Sequence, residues 1–191
     1  MKYYNMIYAG NEAWDEKHIG SEKTINDDCL EDHTVCCGKY IDNWNIDITL
    51  VCDNKKEHIV PDWMSNDNGW LVVSQRFVDV VKNFENGAIQ YLPIKIDAVQ
   101  PQMKEEKYFV ANVIKVIDAI DYENSDCFNM PRYRAVVRYA LKKEQIKGNH
   151  IFIAKEDILS DSIFVSEELK KAIQKAKLLG FHFTPVKKIV E

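Results

Sequence analysis

The sequence predicts an α+β fold, a mixed and largely antiparallel sheet with two principal helices. Three observations carry that expectation. Runs of alternating, β-branched or aromatic residues outnumber runs with helical spacing. Only two segments combine an apolar stripe of helical period with a capping residue in front and a glycine behind. The two kinds of segment also fail to alternate strictly, as a doubly wound sheet would require.

The elements follow in chain order. KYYNMIYA alternates weakly and is aromatic, so it opens the chain as a strand. Residues 10–40 are polar without a clean period and read mostly as loop. Trp44–Cys52, WNIDITLVC, alternates as a strand does. Residues 60–69, VPDWMSNDNG, are rich in turn formers and mark the best internal break. The chain is therefore expected to divide into an acidic N-terminal region over 1–68 and an α+β core domain over 69–191.

Beyond the break, Ser74 is placed to N-cap a helix whose stripe is Phe77, Val80, Val81 and Phe84, with Gly87 beyond its end. AIQYLPIKI is a strand in which Pro93 asks for an edge or a bulge. KYFVANVIKVIDAI is the longest β-type run, and RYRAVVRYAL follows as another strand. KKEQIKG makes one or two helical turns ended by Gly148, and HIFIAK is a strand. The last segment is the clearest. Ser166 caps, Glu167 and Glu168 suit the positive end of the helix dipole, and Leu169, Ala172, Ile173 and Ala176 share a face. Gly180 stops the helix, and Phe181 and Phe183 then share one side of a strand.

Composition narrows the function classes. A chain of 191 residues with 46% hydrophobic and 29% charged residues is long enough to bury a core without disulfide support. The N-terminus has no apolar h-region and no run spans a bilayer, so a cytoplasmic address and no membrane partner are expected. Five cysteines, Cys29, Cys36, Cys37, Cys52 and Cys127, do not form a disulfide framework. Cys29, His33, Cys36 and Cys37 crowd four soft ligands together, but adjacent Cys36 and Cys37 reach one zinc ion poorly. Reduced structural thiols are the reading, with a metal as the alternative.

Residues 1–69 hold 14 Asp/Glu against 6 Lys/Arg, a net of -8, whereas residues 70–191 carry a net of +3. An acidic front end argues against a nucleic-acid grip there; charge alone reads as a solvated surface, and it also suits a basic protein partner. Trp14, Trp44, Trp63 and Trp70 all lie in or beside this region, where tryptophans either anchor an interface or fill a core. The candidate partner contacts are Asp27, Asp28, Glu31, Asp32, Trp44 and Trp63.

No phosphate-binding glycine loop, nucleophile elbow or metal-spaced histidine pair is present, and no cofactor is called for. The densest acids are in VIKVIDAIDYENSDC. Within a strand, Asp118 and Asp121 fall on opposite faces, so a shared metal needs the chain to turn. DYENSD is read instead as a strand end entering a hydrogen-bonded turn. A metal-dependent enzyme using Asp118 and Asp121, or a small ligand-binding or sensor module, stays as the rival function.

The ordered series GWLVVSQRFVDVV, YLPIKI, YFVANVIKVIDAIDYENSD, HIFIAKE and IFVSEELKKAIQKAKLLGFHFTPV resembles a family of bacterial immunity proteins from polymorphic toxin systems, formerly a domain of unknown function with a myxobacterial prototype. The resemblance spans roughly Gly69 to Val186 and matches the first 68 residues less well. It implies a small α+β protein that binds and neutralises a cognate toxin without catalysis, and it leaves the oligomeric state open. Asn112, Asp118, Asp121, Ser125, Ser166, Gly180, Phe181 and Pro185 fall on its recurring pattern, which in a binding family serves the fold.

Overall fold

The computed structural model describes residues 1–10, 17–27, 35, 37–52, 59–99, 103, 106–129, 134–155 and 162–191. A five-stranded sheet runs in the order β14 (Phe181–Pro185), β1 (Tyr3–Tyr8), β13 (Ile163–Ser166), β12 (Ile151–Ala154) and β8 (Val116–Ile117). A six-stranded sheet runs β2 (Ser21–Ile25), β3 (Thr49–Cys52), β6 (Ile89–Asp97), β7 (Tyr108–Val113), β5 (Val72–Ser74) and β4 (Trp63–Met64). Two small ladders complete the set, β9 (Asp126–Asn129) with β10 (Arg134–Arg138), and β11 (Ala140–Lys142) with β15 (Lys188–Val190). The β3–β6, β8–β12 and β11–β15 pairs are parallel and the others antiparallel, so the fold is α+β and mostly β.

The helices match their sequence signals. Ser74 accepts from the Phe77 N–H at the start of α1 (Gln75–Val81), which buries Phe77 and Val81. A single turn, α2 (Lys143–Ile146), follows β11. Ser166 accepts from the Leu169 N–H at the start of α3 (Glu167–Lys175), which buries Leu169 and Ile173.

Two faces of the five-stranded sheet build two cores. Along β12, Ile151 and Ile153 join one cluster, while Phe152 and Ala154 join the other, the period of two expected of a strand. The first cluster lies between the two large sheets and takes Phe77 and Val81 from α1 and Leu169 and Ile173 from α3. The second packs Tyr3, Phe152 and Phe164 against Ile120, Leu141 and Ile146. Burying an aromatic such as Phe152 or Phe164 contributes about 2–3 kcal/mol. A sheet covered on both faces needs apolar residues at every position, which is why IFIA lacks alternation.

Several segments depart from the sequence reading, each for a local reason. The polar stretch before residue 40 contains a strand, β2, paired antiparallel to β3. Trp44–Cys52 is strand only from Thr49. Asn45 turns the chain first, its side-chain oxygen accepting from Asp47 N–H at 3.0 Å and its carbonyl from Ile48 N–H at 3.2 Å. The long run over 107–120 is two strands in two sheets. It breaks after Val113, where Ala88 O accepts from Ile114 N–H at 2.8 Å, and β8 then joins the edge of the other sheet. RYRAVVRYAL likewise divides into β10 and β11 around Tyr139. Pro93 sits where β6 still lacks its β3 neighbour, whose pairing starts at Lys95, so its missing N–H costs no ladder bond.

The end of α3 corrects the role of Gly180. Lys177, at φ 54°, takes the left-handed place after the helix, and Leu178 N–H returns to Ile173 O at 3.3 Å. Gly180 is required by a close approach instead. A Cβ there would stand 2.6 Å from the Trp63 carbonyl oxygen, and its φ is +102°.

Candidate functional site

The acidic stretch is built as a bracket. Asp121 accepts from Asn124 N–H at 3.0 Å and from Asn124 Nδ2 at 2.8 Å, closing an Asx-type turn. Those bonds, against a smaller opposing effect of desolvation, hold the Asp121 carboxyl below the usual carboxylate range. Ser125 Oγ donates to Asp121 O at 2.6 Å and accepts from Ala140 N–H at 2.9 Å, so the turn is stapled to β11. Asp118 is exposed and faces Lys142 at 3.5 Å. Asp126 accepts from Lys187 and lies 3.7 Å from Arg138, and the Lys187 bond keeps its carboxyl low. Each carboxylate thus has its own partner. Together they root the β9–β10 hairpin, which presents Phe128, 67% exposed, and Val137, 53% exposed.

The remaining family-pattern residues hold backbone or core. Asn112 is buried and donates to Lys39 O at 2.8 Å and Gln90 Oε1 at 3.0 Å. Gln90 in turn brackets Ile41 through both its backbone groups, so the pair ties the 39–41 segment to the sheet. Ser166 caps α3 and lies 2.8 Å from His150 Nδ1. Phe181 stacks on Phe77 at 5.1 Å and tilts against Trp63 at 5.4 Å. Pro185 lies opposite Tyr4, between ladder positions whose β1-facing bonds are made by Val186 N–H to Tyr3 O and by Gly180 O to Ala9 N–H. By that alternation its nitrogen faces the outer side of β14, where proline loses nothing and blunts an edge.

The candidate partner contacts separate. Asp28, Glu31 and Asp32 lie outside the described residues, as do Trp14, Cys29, His33 and Cys36. Asp27 and Trp44 come to neighbouring loops at one end of the six-stranded sheet. There Asn45 Nδ2 donates to Asn26 O at 2.9 Å and Asn26 Nδ2 to Asp47 O at 3.0 Å, with Asn26 left-handed at φ 65°. Asn68 donates to Asp27 at 3.1 Å, and Asp67 accepts from both Thr24 groups. Burial pushes the Asp67 carboxyl up, but the Thr24 hydroxyl and N–H outweigh it and hold it low. Asp47 accepts from Lys95. Within this cross-linked cluster Ile46 is 64% exposed and Ile25 38%. Trp44 is half-buried, donating its indole N–H to Pro93 O at 2.6 Å and meeting Trp70 edge-on. Trp63 is only 8% exposed and packs between Tyr8 and Phe181, so its side chain fills the core and has little surface to offer a partner.

Sequence reasoning missed Ile46 and Phe128. The signal for Ile46 was present, because an apolar residue between the turn formers Asn45 and Asp47 has no strand to carry it inward. It also missed a buried carboxylate. Asp62 accepts from Ser74 Oγ at 2.6 Å, Leu179 N–H at 2.8 Å and Arg76 Nη1 at 3.1 Å. Its own N–H donates to Leu179 O, and Arg76 Nη2 reaches Ala176 O at the end of α3. One carboxylate therefore joins β4, α1 and the turn into β14. Half-buried Glu106 stands near enough that burial first, and Asp62 second, raise its carboxyl pKa.

Among the described residues, no group of three or more His, Cys, Asp or Glu is arranged to hold a metal ion, and no helix is long and apolar enough to cross a membrane. Cys52 is buried with its Sγ 3.6 Å from Met64 Sδ, and Cys127 is a free thiol. A search of characterised proteins finds no match. A family model, described as the immunity protein family (Imm11), matches residues 11–188. That match covers almost the whole chain and reaches well into the acidic front end, further than the motif series over 69–186. The chain belongs to the immunity protein family (Imm11).

Proposed function

We propose that this protein binds a cognate bacterial toxin in the cytoplasm and neutralises it by occlusion, without catalysing a reaction, as part of a polymorphic toxin system used in competition between bacteria. The family match over residues 11–188 carries the reading. Two further features support it. Asp118, Asp121 and Asp126 are each engaged by a separate hydrogen-bond or ion-pair partner, and the stretch forms a turn rather than a shared ligand cage. The net of -8 over residues 1–69 favours a basic toxin surface, because complementary charge speeds encounter and rejects wrong partners. On this reading residues 1–69 carry much of the contact, with Asp27, Asp47 and the neighbouring Ile46 on the rigid loop cluster. Complementarity on ordered loops costs little entropy on binding.

The test is co-expression with the toxin encoded beside it, scored for cell survival and co-purification. Exchanging residues 1–69 with those of a relative that protects against a different toxin is expected to move protection with the exchanged part. Protection that stays with residues 70–191 overturns the assignment of the contact. Failure of the unaltered protein to rescue or co-purify overturns the immunity reading itself.

A further inference from the structure

We propose that the outward face of the β9–β10 arm is a second docking surface for the toxin, fitted to a protein surface that is apolar at its centre and acidic at its edge. The inference rests on the immunity reading above. Phe128 and Ala135 stand directly across the ladder from each other, so they share one face, and Val137 sits at the bulge beside them. The opposite face is accounted for, because Val136 and Tyr122 pack on the second core cluster and Arg134 lies over the Tyr122 ring at 5.8 Å. Phe128 and Val137 gain nothing from the fold by standing 67% and 53% exposed. An exposed apolar patch rimmed by polar residues marks a contact surface.

The arm is also held ready. A two-stranded ladder alone is marginal in water. Here its base is fixed by the Asp121–Asn124 turn, the Ser125 bond to Ala140 N–H and the contact of Asp126 with Lys187. The charge at its rim chooses the partner. Arg138 and Lys187 both face Asp126 at the bulged end of the ladder, two cations against one carboxylate, which leaves positive charge in excess beside Val137. This is the opposite sign to the front loops. The chain therefore offers a toxin two apolar contacts of opposite rim charge, which fixes orientation as well as affinity.

The experiment measures binding of the purified neighbouring toxin, inactivated at its own active site, to the full chain and to the double variant Phe128→Thr, Val137→Thr. Threonine keeps β propensity at two exposed sites, so the melting temperature is expected to hold within a few degrees. The dissociation constant is expected to rise tenfold or more. A photo-crosslinking residue at position 128 of the otherwise unaltered chain is expected to capture the toxin, which keeps the test valid if the double variant melts early. Equal affinity of the two proteins, or no crosslink in a complex that forms, overturns the arm while leaving the immunity reading intact. A change in self-association with toxin affinity unchanged assigns the face to a second copy of the chain and also overturns it. If the unaltered chain does not bind, the immunity reading fails and the arm falls with it.

Discussion

The front loops and the 118–126 stretch are both rich in aspartate, and they end up electrostatically different. Among the described carboxylates of the front loops, Asp27 is met by Asn68, Asp67 by Thr24 and Asp47 by a cation, Lys95. In the later stretch, Asp118 faces Lys142, Asp126 faces both Lys187 and Arg138, and Asp121 is held by Asn124 with Lys142 nearby. Neutral partners fix a carboxylate in place and leave its charge to act outward, whereas cations cancel it. Local acid density therefore does not decide which region projects a field. The decision is made by lysines and arginines that the topology delivers from elsewhere, Lys187 from 61 residues away.

The sharpest way to break this comparison is a front-end carboxylate that works for the fold. Asp62 lies in the acidic region by sequence but is buried, with three donors on its side chain. Asp62→Ala leaves Ser74 Oγ and Leu179 N–H without their acceptor and frees Arg76 from its place against α3. The expected loss is about 3 kcal/mol, from the cost of unsatisfied buried donors and a broken, partly exposed ion pair. Urea unfolding of the two proteins measures it. A loss under about 1 kcal/mol would show that the node joining β4, α1 and β14 is dispensable.

How much of this was legible in the sequence follows from range. Both helix caps, Ser74 and Ser166, and the turn at DYENSD depend on partners within four residues, and all three could be read directly. The split of the 107–120 run could not, because it depends on Ala88 taking the Ile114 N–H and on β12 offering an edge. Gly180 was noticed for the wrong reason, since the Trp63 backbone that requires it is over a hundred residues away. Among the candidate contacts, Asp27 and Trp44 reached one loop cluster, whereas Trp63 became core. Acidic composition pointed to the region, but burial depends on neighbours that composition does not name.

An intermediate effect tests the later stretch. The Asp121 carboxyl is held below its ordinary range by Asn124, so it stabilises the folded state above the unfolded carboxylate pKa near 4, and that contribution is lost as pH falls through the lower folded value. Asp121→Asn removes it. The stability gap between the unaltered protein and the variant is therefore expected to be full at pH 6 and to shrink below about pH 4. Glu106, raised by burial, contributes with the opposite sign but is common to both proteins, so the difference isolates Asp121. Urea midpoints at several pH values between 6 and 2.5 measure it. A gap that does not narrow in acid means the bonds of Asp121 do not depend on its charge. Under the binding reading, Asp118→Asn leaves toxin protection intact, and loss of protection in a folded, stable variant would return this residue to catalysis.

The smallest effect on stability carries the most information about the front. Asp27 is met by a neutral amide and Asp47 by an exposed lysine, so neither contributes much to folding. Asp27→Asn combined with Asp47→Asn is expected to change unfolding free energy by no more than about 0.5 kcal/mol, in the range of surface ion pairs. If the front loops steer a basic toxin, the same variant associates several-fold more slowly at low salt, and its rate falls less steeply as salt is added. The dissociation rate moves less, because the exposed Ile46 and Ile25 remain. Stopped-flow association with the inactivated toxin at two ionic strengths separates these quantities. An association rate equal to that of the unaltered protein at low salt, with stability unchanged, would mean that the front-end charge is solvation alone and that the toxin is recognised elsewhere on the chain.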